Sequence, residues 1–337
     1  MNVMPRMPLI NGAHGTNAVE ISLNAAVISI EHNAPCLLMV RSRDRDGDQL
    51  RLPAGPFVPS EHTSLELGVR DWVMQQTGVD LGYLEQLYTF GDQVAPGAAD
   101  ESDTPTVSLG YMALTSPNHD QATLNRQWIG AYDFMPWEDW RDGRPEILAE
   151  EIEPRLRAWA AEAAPGDGEG ARAMRSQALH IAFGLDGTPW DEERVLDRYE
   201  LLHTSGFLDQ PRARIETPRN ARNIAPGSAT VAQAHQRILA AALGRLRAKI
   251  KYRPVLFELM APEFTLFELQ RTVEAILGSR LHKQNFRRLV ESGGLVDATT
   301  DIRTHTGGRP AKLFRFRREV LMERPAPGVR VRAGLAA

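Results

Sequence analysis

Residues 64–80 read SLELGVRDWVMQQTGVD, and this stretch decides how the first third of the chain folds. Apolar side chains recur through it at helical spacing, which predicts an amphipathic helix packed on a core. These side chains are Leu65, Val69, Trp72 and Val73. Thr63 and Glu66 have the spacing of a capping box, and Gly78 stands where a helix commonly ends in a left-handed residue.

The segments around this helix have the pattern of strands. VEISLNAAVISI (19–30) and PCLLMVRS (35–42) are apolar, partly alternating runs separated by a turn-like segment, which predicts a hairpin. Two further strand-like runs follow the helix, at 83–92 and 106–116, and 128–140 reads as an aromatic-rich strand and turn. The expected fold class is therefore α+β, with an N-terminal mixed sheet and helices.

The composition is that of an ordinary globular protein, with 337 residues of which 42% are hydrophobic and 24% are charged. This length is sufficient for two domains. A single cysteine, Cys36, excludes an intramolecular disulfide framework and fits a reducing cytoplasm. No apolar run reaches the roughly 20 residues of a membrane span, and the first residues lack a signal-peptide core. We therefore expect a cytoplasmic protein with no membrane partner.

The charge is distributed unevenly along the chain. Residues 245–318 contain 16 Lys or Arg and 7 Asp or Glu, a net charge of +9, which leaves −13 for the rest because the total is −4. An acidic body that carries a basic module suggests a phosphate backbone as partner. A basic surface that only faces solvent is the simpler alternative.

The middle of the chain, 149–230, reads as a helical insertion with linkers. A helix is predicted near 146–164, and the acidic, glycine-rich PGDGEGA after it is typical of a flexible linker. A second helix is predicted over 187–207, with Thr188 as N-cap and Pro189 at the first helical position. The basic stretch 210–228 reads as an exposed connector.

The last hundred residues have the order of a winged helix–turn–helix. A helix over 231–250 precedes one over 264–278, which begins with Thr265 and Glu268 in capping-box spacing. A short basic helix within 281–296 follows, and then two strands around a Gly-Gly-Arg-Pro tip. In that architecture the second helix of the pair enters the major groove of DNA.

The predicted DNA contacts lie on the second helix and on the wing. The apolar side of the helix carries Phe286 and Val290, so its opposite side is left for DNA. The expected contact residues of the helix are His282, Lys283, Gln284, Asn285, Arg287 and Arg288. Those of the wing are Thr306, Arg309 and Lys312. RNA binding or docking of a protein on the wing is the alternative reading.

Several of these segments resemble known families. LRLPAGPFV (50–58), followed by a helix that ends QQTGV (75–79), resembles the loop–helix signature of Nudix proteins. LEQLYTFGD (84–92), the segment 247–290 and GGRPAKLFRF (307–316) resemble the NrtR family. That family consists of bacterial regulators of NAD metabolism that join a Nudix-type effector domain to a winged helix. The insertion and the altered signature look similar to the alphaproteobacterial NAD regulators called NadQ.

The Nudix signature, G-x5-E-x7-R-E-U-x-E-E-x-G-U with U aliphatic, has lost its metal-binding glutamates. With Gly78 as its last glycine, Trp72 takes one glutamate position, and Gln75 and Gln76 take the pair. Magnesium prefers charged oxygen ligands, which neither Trp nor Gln supplies. We therefore expect no metal, no catalytic residues and no enzymatic activity.

A pocket without catalysis can still bind an effector. The resemblance implies an adenine nucleotide such as NAD, ADP-ribose or ATP as the effector, and no catalytic cofactor. Arginines favour bidentate contacts with a diphosphate, and aromatic rings stack on adenine. The expected effector-binding arginines are Arg41, Arg43 and Arg51. The expected aromatic residues are Phe57, Tyr88 and Phe90.

Together these features predict a homodimeric repressor of NAD-biosynthesis genes that binds a palindromic operator in double-stranded DNA. Its expected domains are a Nudix-like effector domain (1–148), a helical insertion (149–230) and a winged helix (231–325). An active Nudix hydrolase is the main alternative, with an unusual metal site rescued by Glu61, Glu66 and Asp71. An RNA-binding or scaffold protein is another, and 64–78 could also be a core helix of an unrelated sheet protein.

Overall fold

The computed structural model describes residues 19–44, 47–91, 106–116, 126–162, 169–208, 233–304 and 310–329. The predicted basic connector at 210–228 and the tip of the predicted wing lie outside these residues. No helix of the described residues is both long enough and apolar enough to cross a membrane.

The predicted hairpin opens the fold and is confirmed. Strand β1 (Glu20–Glu31) pairs antiparallel with β2 (Ala34–Asp44), and His32 and Asn33 form the two-residue turn with φ of 49° and 60°. Such left-handed conformations at both central positions match the twist of the paired strands. The strands β3 (Gly47–Arg51) and β4 (Ala54–Pro56) follow directly.

The first helix, α1 (Leu65–Thr77), begins one residue later than the sequence suggests. Ser64 is the N-cap, and its side chain accepts a hydrogen bond from the amide of Leu67, so the predicted capping box of Thr63 is wrong. Glu66 forms an ion pair with Arg70 instead of reaching back to a cap. The predicted end is confirmed, because Gly78 has a φ of 68° and donates its amide to Met74.

The remaining strands complete one mixed sheet. Strands β5 (Tyr83–Gly91), β6 (Thr106–Leu114) and β7 (Arg126–Gly130) give the order β3-β2-β1-β6-β5, with β4 on β1 and β7 on β2. The pair of β1 and β6 is parallel and the other pairs are antiparallel. The α+β prediction is confirmed, since this sheet is mostly antiparallel and most of the helices follow its strands in the chain instead of alternating with them.

The helices of the insertion only partly follow the sequence prediction. Ahead of the insertion lie a short helix α2 (Ala131–Phe134) and a 3-10 turn (Pro136–Glu138). A π-helical turn (Leu148–Ile152) then leads into α3 (Glu153–Ala161). Helix α4 (Glu169–Phe183) was not predicted, and it begins within the stretch that reads as a linker. Glycines and acidic residues at its start gave no apolar periodicity from which to recognise it.

The helix predicted over 187–207 is shorter than expected. Helix α5 (Val195–Thr204) begins after Arg194; residues 188–191 are irregular and residues 192–194 form a turn. The prediction of Thr188 as N-cap and Pro189 as first helical residue is therefore wrong. In the irregular part, the Trp190 ring lies against the guanidinium of Arg198, whose central carbon is 3.9 Å from the ring centre.

Helix α6 (Gln233–Lys249) crosses the second face of the sheet. One face packs on α1 through Leu23, Val27, Val69 and other residues of one apolar cluster. The opposite face joins a second cluster that contains Met112 and the α6 residue Ile238. The sheet therefore lies between α1 and α6.

The winged helix–turn–helix is confirmed. After a 3-10 turn (Pro254–Leu259), α7 (Leu266–Leu277) has the predicted capping box of Thr265 and Glu268, and Gly278 ends it with a φ of 68°. Helix α8 (Lys283–Ser292) follows the short turn. Strands β8 (Val296–Arg303) and β9 (Ala311–Phe316) pair antiparallel as the wing, and α9 (Val320–Glu323) follows.

A buried ion triad connects these parts of the chain. Both carboxylate oxygens of Glu138 accept hydrogen bonds from Arg198 of α5, at 2.6 and 2.9 Å. One of them also accepts a bond of 2.6 Å from Arg247 of α6. All three side chains are fully buried. An isolated buried charge is unfavourable, so the three groups depend on one another.

The triad also caps the end of α7. The Arg247 Nε donates to the carbonyl of Ile276 at 2.9 Å, and the Tyr132 hydroxyl donates to that of Ala275 at 2.6 Å. Carbonyls in the last turn of a helix lack partners within the helix. Here two of these carbonyls accept hydrogen bonds from a guanidinium and a hydroxyl that lie outside the helix–turn–helix. These bonds attach its first helix, α7, to the rest of the molecule.

Candidate functional site

A cavity of about 530 Å³ opens where β1, β2, β3 and β4 meet the C-terminal half of α1. This volume is within the range of small-molecule sites, about 300–1,000 Å³. Eight of its thirteen lining residues have polar or charged side chains. The lining residues are Glu20, Ser22, Asn24, Val40, Arg41, Arg51, Leu52, Ala54, Gly55, Pro56, Gln75, Gln76 and His235.

Two of the predicted effector-binding arginines come together in this cavity. Arg41 lies on β2 and Arg51 ends the adjacent β3, and both line it. The side chain of Arg43 lies outside the described residues, although its backbone pairs with Asp48. Glu20 is the acidic side chain of the lining. The pair of guanidinium groups can bind an anionic ligand such as a diphosphate.

Two side chains of α1, Trp72 and Gln76, attach this helix to β4. The Gln76 side chain donates to the carbonyl of Ala54 at 2.6 Å and accepts from its amide at 3.1 Å. The Trp72 indole donates to the carbonyl of Pro56 at 2.9 Å. Its ring lies so close to Gly55 that a Cβ there would overlap with it. These two side chains are structural ties between helix and loop.

The residues present do not fit a magnesium ion. The side-chain amide of Gln76 is already hydrogen-bonded to Ala54 through both its nitrogen and its oxygen, and the Trp72 indole is a donor that cannot coordinate a cation. Of the proposed rescue residues, Glu66 is paired with Arg70, and Glu61 and Asp71 are exposed. In the described part of the chain, no group of three or more His, Cys, Asp or Glu could hold a metal ion.

The predicted aromatic residues are not brought together with the arginines. Phe57 stacks on His62 at 5.9 Å, on the α1 side of the sheet. Phe90 is 5% exposed and has the Arg237 guanidinium above it, while Tyr88 is exposed and has Arg245 over its ring. None of the three aromatic residues lines the described cavity.

His235 is a cavity residue that sequence reasoning missed. It lies in the first turn of α6, and its Nδ1 accepts a hydrogen bond of 3.1 Å from the amide of Leu52. Burial, together with the positive charge of Arg51, lowers the pKa of His235 to about 4, so the imidazole is neutral at physiological pH. No local sequence pattern links positions 52 and 235, and only the tertiary fold brings them together.

Helix α8 has the exposed polar face that the sequence predicts. Phe286 and Val290 are buried, and the side chains expected to contact DNA are exposed. These are His282, Lys283, Gln284, Asn285, Arg287 and Arg288. Within the described residues, Lys283, Arg287 and Arg288 make no ion pair, so their charges remain available for phosphates.

The wing is described only in part. Lys312 is exposed at the start of β9, where it pairs with Ile302 of β8, whereas Thr306 and Arg309 lie outside the described residues. Arg303 forms an ion pair with Glu268, the capping residue of α7, and thereby ties the wing to the helix–turn–helix. Arg315 is exposed on β9 and was not among the predicted contacts.

Comparison with known proteins agrees with this geometry. A family model described as "NrtR DNA-binding winged helix domain" matches residues 256–316. A curated relative, the "ADPR responsive transcriptional repressor NtrR" of Acinetobacter baylyi, is 43% identical over 82 residues. The match covers 24% of this chain and 32% of that relative's length.

Solved structures extend the likeness to the whole fold. The crystal structure of Shewanella oneidensis NrtR covers 89% of this chain and 94% of its own, with 20% identity and a TM-score of 0.51. A structure of the same protein complexed with a 27mer DNA covers 90% of this chain and 95% of its own, with 21% identity and a TM-score of 0.49. At this identity the first likeness shows the fold alone.

The predicted resemblance to the NrtR type is thereby confirmed at the level of architecture. The finer likeness to NadQ stays a prediction. The chain has the fold of Shewanella oneidensis NrtR, in which a mixed-sheet domain precedes a winged helix, and its residues 256–316 match the NrtR DNA-binding winged helix domain.

Proposed function

We propose that this protein is a DNA-binding transcriptional repressor of NAD-biosynthesis genes whose DNA binding responds to an adenine nucleotide. The observation that carries the proposal is the exposed face of α8 within the matched winged helix. Lys283, Arg287 and Arg288 stand there beside amide side chains that can read base edges. Phosphate contacts set the register of the protein on DNA, and base contacts give the sequence preference.

ADP-ribose is the proposed first effector. Arg41 and Arg51 provide the positive charge that a diphosphate requires, and the cavity is of suitable size. The name of the Acinetobacter baylyi relative describes that protein as ADPR responsive. NAD shares the same ADP-ribose part, and ATP shares its adenosine and a polyphosphate, so these two belong in the same test.

The proposed role of the Nudix-like domain is binding without hydrolysis. Trp72 and Gln76 are engaged with the backbone of β4, and neither can supply a charged oxygen to magnesium. The loss of glutamates also removes negative charge that would repel an anionic nucleotide. A nucleotide would accordingly bind there without magnesium.

The proposed DNA-binding form is a homodimer on a palindromic operator in the cytoplasm. Two winged helices related by a two-fold axis double the contacts with DNA, and the half-sites then repeat with the helical turn. The proposed division of the chain remains an effector domain (1–148), an insertion (149–230) and a winged helix (231–325). Of these, the insertion also contributes Arg198 to the buried triad.

The central experiment is nuclease protection of the promoter fragments of the NAD-biosynthesis genes, with and without ADP-ribose. We expect protection of a palindromic segment, and we expect ADP-ribose to change the protein concentration required at least fivefold. A control fragment with the palindrome scrambled should stay unprotected at the same salt concentration. Equal binding to both fragments, or to RNA in preference, would contradict a repressor.

The hydrolase alternative has its own measurement. The purified protein is incubated with magnesium and ADP-ribose, NAD or ATP, and the products are separated by chromatography. We expect no turnover above the buffer control, while ADP-ribose raises the melting temperature equally with and without magnesium. Turnover that is lost in Asp71→Ala would instead establish a catalytic site.

A further inference from the structure

Among the residues that line the cavity, His235 comes from a distant part of the chain. The other lining residues lie between positions 20 and 76, whereas His235 comes from α6. A ligand in the cavity would therefore touch the sheet, α1 and α6 at once. This arrangement makes α6 the first element outside the sheet domain to meet the effector.

The hydrogen bond from Leu52 fixes what His235 can offer to a ligand. Because Nδ1 accepts the Leu52 amide and the ring is neutral, the proton resides on Nε2. Within the described residues, Nε2 makes no hydrogen bond. The cavity thus holds a neutral N–H donor beside the cationic side chains of Arg41 and Arg51. Such a donor can bond a phosphate or ribose oxygen.

The same bond holds the cavity wall against α6. The wall segment that follows Arg51 is fixed at Leu52 by His235, at Pro53 by the amide of Ala25, and at Ala54 by Gln76. Of these attachments, the first leads out of the sheet domain. A shift of the wall or of the imidazole would therefore move the start of α6.

The far end of α6 reaches the DNA-binding part. From His235 to Arg247 the helix rises about 18 Å, at about 1.5 Å per residue. Arg247 is fully buried and donates to the carbonyl of Ile276 at the end of α7. Along the way, Ile238 packs on Gly110 of the sheet and Gly244 lies against the backbone of Glu193 before α5.

Only a short turn separates the end of α7 from α8. Gly278, in its left-handed conformation, lies against the carbonyl of Glu138, and Trp140 donates its amide to Gly278 at 2.7 Å. Helix α8 starts at Lys283. The described contacts thus form a continuous path of packed groups from the cavity to the exposed face of α8.

We infer that His235 is the positioning residue that couples occupancy of the cavity to DNA binding, by donating a hydrogen bond from its Nε2–H to the anionic nucleotide while Nδ1 accepts the hydrogen bond from the Leu52 amide. Movement of α6 then alters the position of α7 and α8. The inference rests on the proposed function, and it adds the residue and the helix through which that function is regulated. A ligand shifts an equilibrium only by its unequal contacts with the two states, and His235 supplies such a contact.

The test measures the coupling ratio, which is the dissociation constant for a promoter duplex without ADP-ribose divided by that at saturating ADP-ribose. His235→Ala removes both nitrogen atoms, and His235→Asn keeps an acceptor near the place of Nδ1 but has no donor at the place of Nε2. We expect a ratio that departs at least fivefold from unity in the wild type and less than twofold in both variants. His203→Ala, which removes an exposed histidine of α5, should match the wild type.

Direct titration of ADP-ribose separates this inference from the proposed function. A wild type that binds neither ADP-ribose nor the duplex would refute the proposed function, and the inference with it. A His235→Asn protein that binds ADP-ribose yet retains the wild-type ratio would overturn the inference alone. Arg51→Ala provides the comparison, since it should lower ADP-ribose affinity at least tenfold.

Hydrogen exchange in the wild type tests the same path without any variant. ADP-ribose at saturation should change the exchange rate of the Leu52 amide and of the first two turns of α6 at least threefold. The amides of α4, which lies in the insertion, should stay unchanged. Unaltered exchange at Leu52 and throughout α6 would overturn the inference even if His235→Ala fails to fold.

Discussion

Gln76 attaches α1 to β4 through two hydrogen bonds of its side-chain amide. In the Nudix signature it would be a glutamate that holds metal, and here its amide bonds both backbone groups of Ala54. An amide can donate and accept together, which a carboxylate at neutral pH cannot. An amide at this position thus attaches the helix directly to the loop.

Restoring the carboxylate should therefore weaken the fold. Gln76→Glu loses the donor to the Ala54 carbonyl and sets two oxygens against each other, which should lower the free energy of unfolding by about 1–3 kcal/mol. Gln75→Glu, on the exposed side of the same helix, should change it by less than about 0.5 kcal/mol. Urea unfolding at pH 7 compares the two. Equal stability of both variants would show that the amide bonds contribute little.

The sequence predicted one part of the cavity and not another. Gln75 and Gln76, which line the cavity, could be assigned to positions of the Nudix signature because a fixed spacing from Gly78 defines their register. Arg41 and Arg51 could be placed because neighbouring strands carry them. Tyr88 and Phe90 could not be placed, since alternation along β5 does not reveal which helix covers each face of the strand. His235 had no local signal at all.

At the scale of elements, helix ends were predicted where a single residue decides them. Gly78 and Gly278 adopt the left-handed conformation that ends a helix, and Thr265 forms its capping box. The start of α5 was misplaced because Pro189 and acidic residues also suit an irregular segment. Residue composition alone does not distinguish the first turn of a helix from an irregular segment that precedes one.

A substitution at Gly278 tests the close contact between the end of α7 and the Glu138 carbonyl. In Gly278→Ala, the left-handed backbone and the overlap of a Cβ with the Glu138 carbonyl should together cost about 2–5 kcal/mol of stability. Gly187→Ala is the control, because its φ is +87° and no atom lies within 4 Å of its added Cβ. That variant should lose only about 1–2 kcal/mol. Thermal unfolding gives the comparison, and an equal loss in both would refute the close approach.

Helix α8 is tested through the salt dependence of DNA binding. Lys283→Ala combined with Arg288→Ala should weaken promoter binding at least tenfold, because the charges of two phosphate contacts are lost. The slope of log affinity against log salt should fall by about 1.8, at about 0.9 for each phosphate contact. Fluorescence anisotropy between 50 and 200 mM salt, the range in which such effects are large, measures both quantities.

A matched pair of exposed arginines in the insertion serves as the control for α8. Arg157 and Arg194 form exposed ion pairs with Asp186 and Asp197. Arg157→Ala combined with Arg194→Ala removes the same charge as the α8 variant, so a net-charge effect would appear equally in both. An unchanged salt slope in the α8 variant would place the DNA-binding surface elsewhere.

At the scale of the whole molecule, the buried triad ties the sheet domain, the insertion and α6 into one body. Glu138, Arg198 and Arg247 are far apart in the sequence, and each on its own reads as an ordinary surface charge. The chain could be divided into its parts from sequence patterns, because each part has its own periodicity. Their attachment could not be predicted, because it depends on three charges that meet only in the folded state.

Removal of the central carboxylate should destabilise the whole chain in a pH-dependent way. Glu138→Gln leaves two buried guanidinium groups without their counter-charge, which should lower the free energy of unfolding by about 3–5 kcal/mol at pH 7. The two arginines hold the pKa of Glu138 below its ordinary value of 4.5 despite its burial. The contribution of Glu138 is therefore fully present above pH 4.5 and is lost as the pH falls through its folded-state pKa.

Urea unfolding of the wild type and of Glu138→Gln at pH 7, 5.5, 4 and 3 follows this contribution. The difference in unfolding free energy between them should be constant from pH 7 to 5.5 and should shrink below pH 4.5, because the protonated wild type then resembles the amide. Asp186→Asn, which removes an exposed ion pair, should leave the urea midpoint nearly unchanged throughout. A difference that persists undiminished at pH 3 would mean that packing of the side chain, and not its charge, holds the parts together.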